Sequence, residues 1–504
     1  MSWFTTKKRL TISNQPEQTP QTIEQALENC MRSSDFEHVQ VTTPYKNIWV
    51  SYFSTLIDKN RLHDDIIEKI QTHQFHSPED LRTFIPLSSS KITTDASELA
   101  NALMLGHVCV QLEESNVLCL LIDINKDDDR PITTPEVEFS VIGPKESFVE
   151  GIDTNINLIR KRIPIPELKI EEFRIGSLSR TRVCVLYIDS IANDENVNTM
   201  IERVSNIQFD QINDSSYINQ MIEDKTYSPF PQFIDTERPD RVAALLAEGK
   251  VIVLADGSPQ AFSGPTTLVE FFSAFEDYFL AWHIATAFRL IRLFAVWFSI
   301  FATPLYVAVL TYHAEIIPQA LLATLIVSRS AIPFPPIIEA VFLELTIELL
   351  REAGARLPTK IGQTIGIVGG IVIGTAAVEA GLTSNVLLII VALAALGSFT
   401  TPVYRMGNTI RLIRFPFMLT AQLLGLVGLA ILFNFMLVHL LTITSLGRPY
   451  LAPLYPTRLA DFKDAFFRLP ISMQSKRPIH LQTKNDTRFS KRKAKEKKDI
   501  DEGI

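Results

Sequence analysis

The sequence predicts an α+β cytosolic N-terminal region of two subdomains followed by a polytopic α-helical membrane domain. Two contrasts carry that prediction. Residues 1–283 hold 25 Lys and Arg against 43 Asp and Glu, a formal charge of −18, whereas residues 284–504 hold 23 against 13, a charge of +10. The acidic half alternates apolar and polar residues as soluble elements do. The second half is a series of long apolar runs closed by a basic tail. A chain of 504 residues has room for two or three domains.

Residues 1–20 are polar and rich in Pro and Gln, the composition of a disordered segment. The opening MSWFTTKKRLTISNQ has no apolar core and no cleavage site, so it is not a secretory signal, and the soluble half is expected in the cytoplasm. Residues 21–75 read as helices, interrupted by a strand in IWVSYFSTLID and resumed by the helical spacing of RLHDDIIEKIQTH. Residues 80–105 suggest a further helix, with Asp95 or Ser97 as a cap. GHVCVQLEESNVLCLLIDI (106–124) is two apolar strands around a polar turn, a hairpin. VEFSVIGPKESFVEGIDTNINLIRKRIP reads as strand, Gly-Pro turn and helix. The helix ends in Arg160, Lys161 and Arg162, where positive charge suits a helix C-terminus. LKIEEFRIGSLSRTRVCVLYIDSIA gives two strands, and 193–211 reads as helical. RPDRVAALLAEGKVIVLADGSPQAFSGP gives helix, Gly stop, strand, Asp-Gly turn and strand. These elements divide into subdomains 21–130 and 131–283.

Cys30, Cys109, Cys119 and Cys184 form no C-x-x-C pair, and three lie in apolar runs, which predicts buried free thiols. The nine His are scattered and none pairs with Cys at ligand spacing, so no metal site and no cofactor is predicted.

The membrane domain is expected over 284–445, followed by a juxtamembrane segment 446–474 and a basic cytosolic tail 475–504. Residues 293–312, 385–404 and 417–443 read as spans. Residues 316–331 are short, 333–350 carry three glutamates, and a glycine-rich helix covers about 361–380. Arg289 and Arg292 before the first span, and the basic tail, argue for cytoplasmic ends and an even number of crossings. REAGARLPTK (351–360) and RMGNTIRLIR (405–414) are also basic, and no simple threading puts every basic loop inside. Six full or partial crossings are expected, some re-entrant where backbone is buried in protein or lines water.

Several long motifs resemble one family. ERPDRVAALLAEGKVIVLADGSPQAF (237–262), PFPPIIEAVFLELTIELLREAGARLPTKIGQTIGIVGGIVIGTAAVEAGL (333–382), GRPYLAPLYPTRLADFKDAFFRLP (447–470) and GPKESFVEGIDTNINLIRKRI (143–163) are similar to the GerA-family A subunits of bacterial spore germinant receptors. The resemblance runs from about residue 45 to residue 490. The PFPP…E and IGQTIGIVGG runs look like the receptor branch rather than the stage-V sporulation paralogue. The resemblance implies a site in the spore inner membrane, with a transporter-like B subunit that binds nutrient and a C-subunit lipoprotein as partners. It implies a homo-oligomer, a pentamer, that forms a nutrient-gated cation channel in the bilayer. No nucleic acid is implied.

In GQTIGIVGGIVIGTAAVEAG, Gly362, Gly366, Gly370 and Gly374 span about 120° of one helical face. In lipid such a ridge permits close backbone approach, either within the chain or between copies. The opposite face carries Thr364, Val368, Val372, Thr375 and Glu379. If it lines a lumen, the valines form apolar rings that close by dewetting and the glutamate ring favours cations. Otherwise Glu379 sits at headgroup level and the threonines bond their own backbone. The resemblance favours the lumen.

Glu339, Glu344 and Glu348 are costly at membrane depth, so they face a cation vestibule or pair with Arg351 or Arg356. No nucleophile or metal motif accompanies them, so an enzyme is not expected. Pro333, Pro335 and Pro336 stop any helix from 316–331 running on, as a hinge or a fixed turn. The tail run KRKAKEKK either contacts anionic lipid or is merely solvated.

The leading expectation is a ligand-gated cation channel subunit. A non-conducting scaffold is the alternative. A secondary transporter ranks last, because 284–450 shows no internal repeat.

Overall fold

The computed structural model describes residues 22–489, apart from 44–46, 76, 86–89, 113–117, 127–134, 136–137, 139, 141, 357–369 and 371. An α+β N-terminal region with two five-stranded sheets precedes a helical C-terminal region. The chain divides into two compact units, one from 1–131 with 151–172, the other from 132–150 with 173–504.

In the first unit the strands are β1 (Phe36–Thr42), β2 (Asn47–Phe53), β3 (Ser90–Thr93), β4 (His107–Gln111) and β5 (Cys119–Asp123), paired antiparallel in the order β1-β2-β4-β5-β3. Alternation along β4 and β5 sends Val108, Val110, Leu120 and Ile122 to one face and Cys109, Cys119 and Leu121 to the other. Both faces are covered. Ile66, Ile70 and Leu81 pack on the first, and Leu27, Leu99 and Leu103 on the second. That double cover explains why Cys119–Ile122 is apolar without a break.

The single helix expected over 80–105 is two helices, Pro78–Phe84 and Ala96–Met104, with β3 between them. Ile85 precedes Pro86 and takes an extended conformation, which disfavours continuing the first helix. Asp95 caps the second helix, its carboxylate accepting from Ser97 N. Residues 21–75 likewise hold β1 as well as helix, because the β-branched positions of FEHVQVT pair with β2.

The basic end of helix Ile152–Arg162 has a further role. Arg160 is wholly buried and donates from Nε and Nη2 to the two carboxylate oxygens of Asp35, each at 2.6 Å. Burial alone would raise the Asp35 pKa. The Arg160 charge and the bonds from Arg160, Ser33 and Thr55 outweigh it and hold the pKa below the usual value.

The second unit holds β6 (Leu168–Ile175, which begins in the first), β7 (Thr181–Ile188), β8 (Ile234–Thr236), β9 (Val251–Ala255) and β10 (Ala261–Gly264), in the order β6-β7-β9-β10-β8. The helix Pro239–Glu248 starts with Pro at its first turn and stops at Gly249 (φ +99°), a left-handed position that glycine tolerates. All four cysteines are buried free thiols.

Five described helices of eleven residues or more follow: Trp282–Tyr312, Gln319–Arg329, Pro336–Ala355, Asn385–Phe399 and Tyr404–Thr442. The first and last are long and apolar enough to cross a membrane. Three boundaries differ from the sequence reading. The first helix begins at Trp282, so Arg289 and Arg292 lie on it rather than before it. The span expected over 385–404 ends at Phe399, and Pro402 separates it from the next helix. RMGNTIRLIR is the start of that next helix, not a loop.

The segment Tyr404–Thr442 is a helical hairpin. Gly425 has φ +61° and ψ −140°, outside the helical region and open only to glycine. In one straight helix Met406 and Leu440 would lie about 51 Å apart. Instead they share a hydrophobic cluster with Ile443 and Tyr450. Thr409 donates to Pro229 O while His439 bonds Ser228, which brings the two ends of the segment side by side.

Candidate functional site

The helical region is held by a polar layer in its middle. Arg414 lies ten residues after Tyr404 and eleven before Gly425. At 1.5 Å per residue that is about 15 Å from either end, half the thickness of a bilayer core. Its guanidinium donates to Glu344, to Ser299 Oγ at 2.6 Å and to Ala394 O at 3.3 Å. Thr303 Oγ1 donates to the other Glu344 oxygen at 3.0 Å. Both charged side chains are buried. Four helices therefore meet at one neutralised pair, which the cost of burying an unpaired charge requires.

The other two glutamates are matched as well. Arg329 Nη2 donates to Glu339 Oε1 at 2.8 Å, and Ser384 N donates to Oε2 at 3.3 Å. Arg351 donates to Glu348 Oε2, from Nε at 2.8 Å, with Arg411 Nε 3.5 Å from Oε1. Arg356 pairs with Glu352 instead. The partners Arg329, Arg411 and Arg414 lie 10 to 70 residues from their glutamates, beyond any local spacing rule.

Of the glycine-rich helix, Gly362, Thr364, Gly366 and Val368 lie outside the described residues. Residues 372–379 are helical and end in a Schellman motif. Leu382 N donates to Ala377 O at 2.8 Å, Gly381 N donates to Val378 O at 3.0 Å, and Gly381 has φ +67°. Gly374 and Ala377 are buried, with a Cβ at Gly374 falling 3.6 Å from Leu388. Around Gly370 there is open space within 4 Å of a Cβ position among the described residues. Val372, Thr375 and Glu379 are exposed. Thr375 Oγ1 bonds back to Val372 O at 3.3 Å.

Three features escaped sequence reasoning. A Cβ at Gly397 would fall 2.6 Å from Ala295 O, so helices Asn385–Phe399 and Trp282–Tyr312 touch there through backbone. The bend at Gly425 frees carbonyls, and Tyr312 Oη donates to Gln422 O at 2.9 Å, with Leu423 O at 3.3 Å. At the other end of the first helix, Asp277 accepts from Arg289 Nε at 3.1 Å and from Arg292 Nη1 at 3.2 Å. The run LLGLVGLA held a signal for the bend in its two glycines; nothing local pointed to Tyr312 or Asp277.

An α+β region is joined by buried Arg–carboxylate pairs to a helical region with two helices long and apolar enough to cross a membrane, which is consistent with a membrane location. The sequence profile of the Bacillus/Clostridium GerA spore germination protein family matches residues 21–480. Spore germination protein GerQA of Bacillus cereus is 50% identical, over 94% of this chain and 95% of the relative. Spore germination protein GerIA of Bacillus cereus is 46% identical over 93% and 70%, and spore germination protein KA of Bacillus subtilis (strain 168) is 37% identical over 90% and 86%. The crystal structure of the N-terminal domain of the A subunit of the Bacillus megaterium spore germinant receptor GerK3 aligns with TM-score 0.37 and 26% identity, covering 48% of this chain and 91% of that one. The chain belongs to the GerA spore germination protein family.

Proposed function

We propose that this chain is the membrane subunit of a nutrient-sensing germinant receptor in the spore inner membrane. In this reading copies assemble, as a pentamer, around a cation path lined by helix 361–380. Thr364, Val368, Val372, Thr375 and Glu379 face the path, and Gly362, Gly366, Gly370 and Gly374 pack. The role is non-enzymatic. A transporter-like B subunit and a C-subunit lipoprotein supply the nutrient signal.

The observation that carries the reading is the two-sidedness of 372–379. One side is spent on Leu388, while Val372, Thr375 and Glu379 remain exposed in the single chain. Lipid does not favour a carboxylate, so a neighbouring copy or water is the better environment for that side.

Helix directions support six crossings with both ends on the cytosolic side. The first helix runs from the Asp277 anchor to Tyr312, beside the hairpin bend. Pro336–Ala355 runs the other way, since Glu339 is linked through Ser384 to Tyr306 while Glu344 meets Thr303. Asn385–Phe399 also returns, and the hairpin adds two passes. In this reading helix 361–380 supplies the remaining one.

The scaffold reading keeps two observations in its favour: Glu339, Glu344 and Glu348 are all matched by arginines, as in a purely structural layer, and Thr375 Oγ1 bonds its own backbone at Val372 O. Purified chain in planar bilayers separates the two. The channel reading expects cation conductance whose cation-over-anion preference falls in Glu379→Gln. A chain that conducts nothing, or a Glu379→Gln variant with unchanged selectivity, sinks this pore assignment.

A further inference from the structure

A cavity of about 480 Å³ lies in the second unit, between the helix Pro239–Glu248 and the segment 453–488. That volume is in the range of small-molecule sites. Its floor is apolar, with Leu245, Val269, Phe275 and Pro453.

The polar groups on its wall are unbalanced. Three cations line it, and each is engaged. Arg241 pairs with Glu138, Arg488 donates to Glu248 Oε1 at 2.9 Å, and Arg477 donates to the main-chain carbonyls of Ala247, Asn485 and Thr487. Four carboxylates line it: Glu248, Glu270, Asp461 and Asp464; Lys250 pairs with Glu270, and Arg289 and Tyr278 bond Asp464, which leaves Glu248 and Asp461 the less matched. A carboxylate has about four acceptor sites. Among the described residues Asp461 accepts from main-chain N–H groups of the 479–480 turn, with the Arg458 charge nearby, and Glu248 accepts one bond, from Arg488. His480, 7% exposed, also lines the cavity; its Nε2 lies 3.6 Å from Glu270 Oε1 and makes no hydrogen bond among the described residues. Burial pushes the His480 pKa down to about 4, so the ring is neutral at physiological pH. Burial likewise raises the pKa values of Glu248 and Asp461, so each gains if a positive charge arrives.

We propose that this cavity is a cytosolic-side binding site for a compact organic ammonium ion, with its apolar body on Leu245, Val269 and Phe275 and its cationic head among Glu248, Asp461 and His480. An ammonium supplies the donors that the surplus acceptors lack, and an apolar body replaces water on the floor. An anion would meet carboxylates whose neighbouring cations are already used.

The position gives the site a consequence. Tyr278 and Asp464 line the same cavity, and Tyr278 Oη donates to Asp464 Oδ2 at 3.0 Å. Asp464 in turn accepts from Arg289 on the first membrane-region helix. A ligand that shifts Tyr278 thus acts on the anchor of that helix.

The test uses the full chain in nanodiscs of zwitterionic lipid at pH 7.5, titrated calorimetrically with cyclohexylammonium, cyclohexanol and cyclohexanecarboxylate, with empty discs subtracted. The expected result is saturable cyclohexylammonium binding with a Kd of about 1 mM or tighter, and at least about tenfold weaker binding of the other two. Glu248→Gln is expected to weaken the amine about tenfold, and Val269→Trp, which fills the cavity, to abolish binding. Thermal melting of each variant shows whether it folds. If Glu248→Gln does not fold, the three-probe contrast on the unmodified chain decides. Equal binding of the carboxylate, no saturation by the amine below about 10 mM, or amine affinity unchanged in a folded Glu248→Gln would overturn the proposal.

Discussion

Arg414 donates to Glu344 from a helix 70 residues away in sequence, and the pair is buried midway along the helical region with Ser299 and Thr303 as further partners. The two charges are stable there only together. Removing either partner leaves an uncompensated charge, at a cost of about 3–5 kcal/mol. Glu344→Ala and Arg414→Ala should each lower the melting temperature of the purified chain sharply. The double variant Glu344→Leu with Arg414→Met should regain most of the loss. Additive losses in the double variant would show that the pair is not the unit of stability.

The hairpin makes a distance prediction. Spin labels at Met406 and Leu440 should report a separation far below the about 51 Å of a continuous helix. They pack in one cluster because the chain turns back at Gly425. A broad distribution centred near the straight-helix value would contradict the fold.

The bend depends on two residues. A Cβ at Gly425 would fall 2.9 Å from His313 Nε2, at a φ of +61° that side chains rarely adopt. Gly425→Ala should therefore destabilise by about 1–3 kcal/mol. Tyr312→Phe removes the donor to Gln422 O and Leu423 O and should cost about 1–2 kcal/mol. Denaturant titration of both variants in the same detergent compares the two directly.

Two carboxylates beside Arg405 give stability a pH dependence. Burial raises Asp235 to about 6 and Glu223 to about 7, more than the Arg405 charge lowers them. A raised folded pKa means the folded chain holds the proton more tightly. This contribution is complete below the unfolded carboxylate range, near pH 4, and is lost as pH rises through about 6 to 7. Melting temperatures measured from pH 5 to 8 should fall across that window, and Asp235→Asn with Glu223→Gln should flatten the slope. A slope that persists unchanged assigns it elsewhere.

Much of the α+β region was legible because its signals are local. Pro239 and Gly249 bracket one helix, Asp95 caps another, and the alternation of β4 and β5 names both faces of a sheet. The helix over 80–105 was misread because its period hid a strand whose pairing with β5 is non-local. In the helical region the apolar runs were visible, but their ends were not. Arg289, Arg411 and Arg414 read as loop charges because sequence shows the cost of burying an arginine and not the distant carboxylate that offsets it. Asp277, Glu348 and Glu344 are those carboxylates. The bend at Gly425 was likewise masked by the continuous apolarity of LLGLVGLA.

The proposal that helix 361–380 lines a cation path rests on the exposed side of 372–379, and Val372 is its most direct probe. The four native cysteines are buried in the α+β region, so a new thiol in the helix can be addressed selectively. Val372→Cys chain in a planar bilayer should conduct cations, and a charged methanethiosulfonate reagent should block that current while leaving the unmodified protein unaffected. A Val372→Cys current that survives complete labelling would contradict the account.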